Sequence, residues 1–391
     1  MKKKIIFVAD SSVDLIELYN QLNIKFDVIW VVYHKNVYEI LKESNIKSIY
    51  LINLSFKFLE KNFFIIKIIK FALNFFKINF QNFHLHNFLK KMESKYSPVL
   101  MVTDTVNLLA DYKTDIIKIS LKHSVPYKKF YLQKNNLKYD YIYFPGNYHL
   151  ERFKKFYDHK NDSKFLVTGN IKISYFIKNK EFDKNNLLNT LGLEKKKINV
   201  TFAPSWNVHG KDFLEKFRFL PKSFENQTKA IKVLADQLNN ENCNFIIKLH
   251  HYSYSYLKNK ITKEKYNNQN CYIFNSGNHY DRKESNEIFM LSDIIITDVS
   301  GVATTCIFLD KKIIFLNPEQ NFDWTVADIE KKYRPGFVCN SLEETIDSVK
   351  KYIKNLDPFI EDRKKFVDKM FYKPHEDANK NIAKHIEDIT K

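Results

Sequence analysis

Glycine is scarce in this sequence, with 7 glycines among 391 residues. Phosphate-binding loops of the GxGxxG and Walker types need closely spaced glycines, because the backbone itself approaches the phosphate. Neither pattern occurs in the chain, and no GxSxG nucleophile elbow is present. The sequence therefore argues against a dehydrogenase and against a P-loop nucleotide site.

Cysteine is also sparse, and Cys243, Cys271, Cys306 and Cys339 are far apart without a CxxC pair or zinc-ligand spacing. Three of them lie in or beside apolar runs, where a free cysteine behaves as a small hydrophobic residue. We expect a reducing compartment and no disulfide framework. The HLH sequence at His84–His86 has no neighbouring Asp, Cys or further His that would complete a metal site, so we expect no metal.

Long apolar runs are missing as well, since no uninterrupted apolar stretch is long enough to span a bilayer. The first residues, MKKKIIFVAD, resemble the start of a signal peptide. Their apolar run covers only Ile5–Ala9 and ends at Asp10, which favours a first β-strand.

Basic residues, by contrast, are abundant. The formal net charge is +18, from 63 Lys and Arg against 45 Asp and Glu. Such a balance points to polyanionic partners: nucleic acid, an anionic membrane surface or phosphorylated substrates. The length allows two domains of ordinary size, each with a full core.

Short apolar runs alternate with segments of helical period, and a polar interval near Lys178–Lys197 divides them into two series. The predicted strands of the first series are Ile5–Ala9, Val28–Val32, Ser48–Ile52, Val99–Val102, Ile116–Ile119, Tyr141–Phe144 and Phe165–Val167. Those of the second are Asn199–Phe202, Asn244–Leu249, Tyr272–Phe274, Ile294–Thr297, Ile313–Leu316 and Gly336–Val338. This pattern predicts an α/β protein with two doubly wound domains facing each other across a cleft. We expect domains at 1–185 and 186–391, with the last helix a candidate to pack back on the N-terminal domain.

The segment from Ser55 to Tyr96 breaks this pattern, because it is rich in Phe, Ile and Lys and contains only two acids. On a helix, its lysines fall in a narrow polar wedge and large apolar residues fill the remaining surface. Such a helix suits the interface of an anionic membrane. The alternative is a helix buried against the N-terminal sheet with snorkelling lysines. The candidate membrane-contact residues are Lys67, Lys70, Phe71, Phe75, Phe76 and Lys77.

The stretch Leu291–Asn317 carries the clearest functional signal. It predicts a strand, a tight turn of small residues, a helix over Val302–Leu309 and a second strand. The turn places the Ser300 hydroxyl and the backbone N–H groups of Ser300, Gly301 and Val302 at a helix N-terminus, beyond a strand's carboxyl end. This arrangement is typical of a phosphate site, although a turn without a ligand has the same pattern.

His123 directly follows the predicted strand Ile116–Ile119, so it lies where α/β active sites form. Lys122 and Lys128 are close to it in sequence, and neighbouring lysines lower a histidine's pKa and keep it a base. His123 is therefore a candidate general base. A surface loop histidine remains the alternative.

Two further predicted strand ends carry polar groups that could hold an anion. Lys248 and His250 point to the same side of an extended chain and make a reasonable pair for a diphosphate or a leaving phosphate. Ser205, after the strand Asn199–Phe202, could donate to the same anion. An exposed pair on a basic surface remains the alternative for Lys248 and His250.

Five short motifs, in this order, resemble those of the CDP-glycerol glycerophosphotransferase family, which comprises teichoic acid primases and polymerases and their capsule relatives. They lie at strand ends and are similar to the family patterns HGxPLK, APTWR, KLHP, LITDYSS and LxKPxIF. Ser124, Asn207, His251 and Gly301 stand where these patterns have Gly, Arg, Pro and Ser. In this chain they are His123–Lys128, Ala203–Asn207, Lys248–His251, Ile295–Gly301 and Leu309–Phe315.

The resemblance implies a GT-B fold of two Rossmann-like domains and transfer of a polyol phosphate from a CDP-activated donor, with CMP leaving. It implies His123 as general base, with Lys122 and Lys128 supplying positive charge, and His250 on the donor phosphate. The implied donor-binding residues are Ser205, Lys248, Asp298, Ser300, Gly301, Val302 and Thr304. It implies a glycan, polyol-phosphate polymer or lipid-linked acceptor at the cytoplasmic face of the membrane, and no cofactor beyond the donor.

Two other functions stay open at this point. A sugar transferase of the same architecture, or a nucleotide-sugar epimerase, would share the fold and use another nucleotide donor. A nucleic-acid-binding protein would explain the charge, but the basic residues are spread along the chain and no known binding module is present.

Overall fold

The computed structural model describes residues 2–9, 13–32, 35–51, 80–104, 108–121, 134–157, 163–179, 181–204, 224–250, 253–254, 257–261, 270–276, 282–298, 301–316 and 335–391. These residues form two compact units. The first contains the described residues up to Ile171 together with Asp377–Lys391, and the second contains those from Lys172 to Glu376. The sequence-derived boundary at residue 185 lies inside the second unit.

The first unit is built on a parallel sheet. Its described strands are β1 (Lys4–Ala9), β2 (Asp27–Val32), β3 (Ser48–Tyr50), β4 (Leu100–Thr103), β5 (Ile117–Leu121), β6 (Tyr141–Phe144) and β7 (Phe165–Val167). Their order is β3-β2-β1-β4-β5-β6-β7 and all pairs are parallel. The central strand β1 is buried from Ile5 to Ala9, as expected for a strand covered on both faces.

The second unit is built on another parallel sheet. Its described strands are β8 (Ile198–Phe202), β9 (Cys243–Ile247), β10 (Cys271–Ile273), β11 (Ile294–Thr297), β12 (Lys312–Leu316) and β13 (Gly336–Cys339). Their order is β10-β9-β8-β11-β12-β13. The chain runs outwards from β8 through β9 and β10 and then returns to the other side of β8. The strand order therefore reverses between β8 and β11, and such switch points are where doubly wound sheets bind ligands.

Helices connect the strands of both units. Numbered along the chain, the described ones are α1 (Val13–Leu22), α2 (Lys35–Glu43), α3 (Phe80–Tyr96), α4 (Asn147–Tyr157), α5 (Ile171–Lys178), α6 (Lys184–Leu191), α7 (Phe224–Asn240), α8 (Arg282–Leu291), α9 (Gly301–Phe308), α10 (Leu342–Ile353), α11 (Ile360–Met370) and α12 (Ala378–Ile389). None of these described helices combines the length and the apolar character that a membrane span requires.

The C-terminal helix α12 packs within the first unit, although it follows the whole second unit in sequence. Its first residue contacts Gly169, where an added Cβ would lie 2.9 Å from the Cβ of Ala378 and where φ is +90°. Both the close approach and the positive φ require glycine at this position. Further along the helix, the Tyr143 hydroxyl lies 2.8 Å from His385 Nδ1.

The predicted helical segment of residues 55–96 is described only from Phe80 onwards, as α3. The candidate membrane-contact residues Lys67, Lys70, Phe71, Phe75, Phe76 and Lys77 lie outside the described residues. Within α3, Leu85, Leu89 and Met92 are buried in the core of the first unit. This part of the segment therefore covers the N-terminal sheet.

Candidate functional site

Three neighbouring strands of the second unit end at the same edge of its sheet. β8 lies between β9 and β11, and all three run parallel. Hydrogen bonds continue just beyond the paired residues: the Lys248 N–H donates to the Phe202 carbonyl at 2.9 Å, and the Ala203 N–H donates to the Ile296 carbonyl at 2.8 Å. The residues that follow these strands therefore start from fixed, adjacent positions at the switch point.

The helix α9 begins at Gly301 on this edge, four residues after β11 ends at Thr297. The first turn of a helix presents backbone N–H groups and the positive end of the helix dipole, and both favour an anion. The helix is apolar and its residues 303–307 are buried, so its position against the sheet is set by packing. The sequence-predicted residues Gly301 and Val302 thus lie where a phosphate could bind.

Thr304 lies one turn into α9 and is fully buried. Within the described part of the chain, its Oγ1 makes no hydrogen bond. A buried hydroxyl without a partner costs free energy, so such groups call for an explanation. A bound donor phosphate would supply the missing acceptor.

Asp298 ends the strand region of β11 and is fully buried. A carboxylate repels a phosphate, and this repulsion grows as the dielectric constant falls. That Asp298 contacts the donor stays a prediction. Its neighbour Thr297 donates a hydrogen bond from Oγ1 to the Ala203 carbonyl at 2.7 Å, which joins the ends of β11 and β8.

Lys248 and His250 follow β9, and the side chain between them, Leu249, is buried in the core. The two polar side chains are half-buried. The Lys248 ammonium lies 4.7 Å from the ring centroid of Phe289 and 5.4 Å from that of Phe274. Aromatic rings attract an ammonium through their quadrupoles, so these contacts help to position the Lys248 side chain.

The structure also brings Lys172 to this neighbourhood, a residue that sequence reasoning did not select. It lies in the first turn of α5, and its ammonium is 6.0 Å from the centroid of the same Phe289 ring. Because α5 follows β7 of the other sheet, no strand-end argument within the second series could point to it.

Several predicted site residues lie outside the described residues. They are Lys122, His123, Lys128, Ser205 and Ser300. The described members of the predicted site are Lys248, His250, Asp298, Gly301, Val302 and Thr304, and all of them belong to the second unit. No cluster of potential metal ligands occurs among the residues that the structure describes.

In the first unit, His149 is buried, and His86 and His385 are half-buried. Burial lowers the pKa of His149, in the first turn of α4, to about 3, and nearby Arg152 acts in the same direction. Burial also lowers the pKa values of His86 and His385. A histidine that stays neutral in the core contributes packing rather than charge.

The comparisons with known proteins match this architecture. The family model described as CDP-Glycerol:Poly(glycerophosphate) glycerophosphotransferase matches residues 7–388. The chain belongs to this family. The match confirms the resemblance that the sequence motifs indicated.

A curated relative is the teichoic acid poly(glycerol phosphate) polymerase of Bacillus spizizenii, which is 25% identical over 266 residues. The match covers 66% of this chain and 62% of that polymerase, so this chain spans less than two thirds of the relative's length.

Solved structures confirm the predicted fold class. The wall teichoic acid polymerase TagF matches with a TM-score of 0.61 and 15% identity, covering 99% of this chain and 89% of that one. A Listeria monocytogenes protein provisionally assigned as a UDP-N-acetylglucosamine 2-epimerase matches with a TM-score of 0.65 and 12% identity, covering 100% and 97%. At such identities the likeness shows the fold alone: two parallel, Rossmann-like sheets with helices.

Proposed function

We propose that this family member transfers a glycerol-phosphate-like polyol phosphate from a CDP-activated donor to a hydroxyl group of an acceptor. The acceptor would be a cell-surface glycan, a teichoic-acid-like polymer or a lipid-linked primer, and CMP would be released. The observation that carries the proposal is the switch-point edge of the second sheet. There the N-terminus of α9 follows β11, Lys248 and His250 follow β9, and β8 lies between these two strands. Family membership supplies the reaction type.

In the proposed reaction, an acceptor oxygen attacks the phosphorus of the polyol phosphate. The bond between that phosphorus and the bridging oxygen of the diphosphate breaks, and CMP leaves with the bond's electrons. His123 would take the proton of the acceptor hydroxyl, with Lys122 and Lys128 adding positive charge. Such chemistry depends mainly on positioning and electrostatic stabilisation, and we propose that no cofactor beyond the donor is needed.

The second unit would hold the donor. The N-terminus of α9, with Gly301, Val302 and Thr304, would bind the diphosphate, together with Ser205 and Ser300. Lys248 and His250 would contact the phosphate whose negative charge grows as CMP leaves. A TagF variant has been solved after soaking with CDPG, which supports the cytidine donor as the first one to test.

The proposal is tested by supplying CDP-glycerol, CDP-ribitol and UDP-sugars separately, each with a polyol-phosphate acceptor, and by measuring the nucleotide released. We expect CMP from a CDP-polyol, and we expect His123→Ala to abolish its release while the circular dichroism spectrum stays unchanged. Release of UDP or UMP from a UDP-sugar, with none from the CDP-polyols, would refute the proposal.

Release of UDP or UMP would favour a sugar transferase of the same architecture, whereas conversion of the UDP-sugar without nucleotide release would favour a nucleotide-sugar epimerase. The structural likeness to the Listeria protein, with its TM-score of 0.65, is the observation that keeps this alternative in view. An epimerase would convert the UDP-sugar without releasing free nucleotide, so the product analysis separates the two.

We also propose that the protein binds the inner face of the cell membrane through residues 55–79, which contain Lys67, Lys70 and Lys77. Anionic lipids attract lysines beside an apolar helix face. Replacing these three lysines with Glu should reduce binding to liposomes that contain phosphatidylglycerol. The matched control replaces three exposed lysines of α11, Lys364, Lys365 and Lys369, and should bind as the unmodified protein does. Equal loss in both variants would mean that general charge, not this segment, drives binding.

A further inference from the structure

His149 is a buried histidine whose two ring nitrogens are both without a hydrogen bond. The residue lies in the first turn of α4 and is 3% exposed. Within the described part of the chain, neither its Nδ1 nor its Nε2 has a hydrogen-bond partner. Buried polar atoms without partners cost free energy, so a ring with two of them calls for an explanation. The reaction as proposed above uses no residue of α4 and does not supply one.

The His149 ring lies beside the start of its own helix. The Cα–Cβ bonds of an α-helix tilt towards its N-terminus, so a residue of the first turn directs its side chain back past the helix start. Burial and then Arg152 lower the pKa of His149, whereas the backbone of Gly146 acts in the opposite direction. Because Gly146 directly precedes α4, this effect places the ring next to the helix N-terminus.

The N-terminus of α4 is suited to an anion. The first N–H groups of a helix have no acceptor within it, and the helix dipole favours negative charge there. Gly146 has no side chain that could cap these groups, and its carbonyl accepts from the N–H groups of His149 and Leu150 at 3.2 and 3.4 Å. Asn147, the first residue of α4, is exposed, so this end of the helix is open to solvent.

The sheet of the first unit puts the start of α4 on the same edge as the predicted base. β5 and β6 are neighbouring parallel strands, with Leu121 paired to Tyr143. α4 begins three residues after β6 ends at Phe144. In the sequence, His123 follows the last residue of β5 by two positions. A ligand at the start of α4 therefore lies on the sheet edge from which the chain continues to His123.

The chemistry of the ring indicates what it could bind. With a pKa of about 3, His149 is neutral at physiological pH, and a neutral imidazole has one N–H donor and one nitrogen acceptor. A hydroxyl group can accept from the first and donate to the second. Backbone N–H groups at a helix start suit a phosphate oxygen. A polyol phosphate carries hydroxyl and phosphate groups on the same small molecule.

We propose that the start of α4 binds the terminal polyol-phosphate unit of the acceptor, with the helix N–H groups on its phosphate and His149 on one of its hydroxyl groups. The inference rests on the proposed function and deepens it, because it assigns the acceptor to residues of the first unit outside the five family motifs.

The first experiment observes the ring directly. The full chain is labelled with histidine carrying carbon-13 at Cε1, and the proton–carbon spectrum is recorded while sn-glycerol 3-phosphate is added. His149→Phe and His149→Gln each assign the His149 signal by its loss. We expect this signal to shift saturably with glycerol 3-phosphate, and to shift less with inorganic phosphate or glycerol alone. No shift with glycerol 3-phosphate, or an equal shift with inorganic phosphate, would overturn the inference.

The second experiment measures KM values with CDP-glycerol as donor and a glycerol-phosphate oligomer as acceptor. His149→Phe keeps an aromatic ring and removes both nitrogens, whereas His149→Gln keeps a donor and an acceptor. The matched control is His86→Phe in α3 of the same unit, since His86 Nε2 is also buried without a hydrogen bond among the described residues.

We expect His149→Phe to raise the acceptor KM by about tenfold, as loss of a hydrogen bond to the substrate implies. The donor KM and the affinity for CDP should not change. His149→Gln should recover part of the acceptor binding, and His86→Phe should keep the acceptor KM of the unmodified protein.

An unchanged acceptor KM in His149→Phe would contradict the inference, as would an equal rise in His86→Phe. Equal rises of the donor and acceptor KM would mean that His149 has a structural role only. The two proposals fail separately. If glycerol 3-phosphate shifts the His149 signal but no CDP-polyol releases CMP, the polyol-phosphate site stands and the proposed reaction does not. If CMP release is normal and the acceptor KM is insensitive to His149, the reaction stands and this site has no part in it.

Discussion

Thr297 Oγ1 donates a hydrogen bond of 2.7 Å to the backbone carbonyl of Ala203. Thr297 is the last residue of β11, and Ala203 directly follows β8. The bond therefore joins the ends of two strands at the point where the sheet order reverses. Both residues are buried, so water does not compete for the bond.

Thr297→Val should weaken this junction. The change keeps the side-chain shape and leaves the buried Ala203 carbonyl without this donor, which costs about 1–2 kcal/mol of the free energy of unfolding. Because this junction fixes the end of the strand that precedes α9, we also expect a several-fold higher donor KM. Urea unfolding and steady-state kinetics measure the two effects.

The matched control is Thr201→Val, since the Thr201 hydroxyl in β8 lies 2.6 Å from that of Ser292, which lies between α8 and the start of β11. It should lose comparable stability and keep the donor KM. A raised donor KM in Thr201→Val but not in Thr297→Val would show that the bond between Thr297 and Ala203 does not support donor binding.

Thr304→Val should raise the donor KM without lowering the free energy of unfolding. Its Oγ1 makes no hydrogen bond within the described part of the chain, so the valine removes no bond from the unliganded protein. We expect the free energy of unfolding to stay unchanged or to rise by about 1 kcal/mol, because a buried hydroxyl without a partner is lost. The donor KM should rise, because the hydroxyl is proposed to bind a phosphate oxygen.

Thr305→Val is the neighbouring control, since that hydroxyl lies 3.5 Å from the Gly301 carbonyl of its own helix. Its donor KM should not change. If Thr304→Val became less stable and kept its donor KM, the hydroxyl would have a structural partner and no role in binding.

His250→Gln should reduce kcat by about a hundredfold or more, because the proposed contact strengthens as charge develops on the leaving phosphate. The donor KM should change much less. His375→Gln offers a control in the same unit, as the His375 ring contacts the Tyr372 carbonyl and Phe308. A normal kcat in His250→Gln would remove this histidine from the reaction.

The first unit should lose stability in mild acid. The folded pKa of His149 is about 3, below the value of about 6.5 in an unfolded chain, so the unfolded state binds the proton more readily. Stability is full above about pH 6.5 and falls as the pH decreases towards the folded pKa. Between pH 6.5 and 5 this histidine alone accounts for about 2 kcal/mol.

Hydrogen exchange of the β1 amides at pH 7.5 and 5 reports this loss for the first unit. His86 and His385 act in the same direction, since burial lowers their pKa values too. His149→Phe should therefore reduce the pH dependence of the first unit's stability without abolishing it. This expectation holds whatever the absolute stability of the variant. An unchanged pH dependence in this variant would show that His149 is protonated in the folded protein.

Much of the fold could be predicted from the sequence because both sheets are parallel and buried. Runs such as Ile5–Ala9 and Ile294–Thr297 are apolar at every or nearly every position, and strands covered on both faces produce this signal. The prediction for β9 ran to Leu249, whereas the strand ends at Ile247. The Lys248 N–H still donates to the Phe202 carbonyl, and Leu249 is buried although it lies beyond the strand, so apolar character alone does not mark where β9 ends.

The sequence predicted only those candidate site residues that follow strands. Lys248, His250 and Gly301 each come directly or shortly after a strand, so position along the chain indicates the shared edge. Lys172 lies at the start of a helix, and its relation to the site depends on Phe289 in a distant helix. Side-chain packing of this kind leaves no periodic trace in a single sequence.

The return of α12 to the first unit has a consequence for biosynthesis. Residues 377–391 leave the ribosome after the entire second unit, yet Gly169, Tyr143 and Glu17 of the first unit are in contact with them. The first unit therefore remains incompletely covered while the second unit is translated. During that time the second unit can already fold. A chaperone that binds the nascent chain would therefore bind the exposed surface of the first unit, which is translated first.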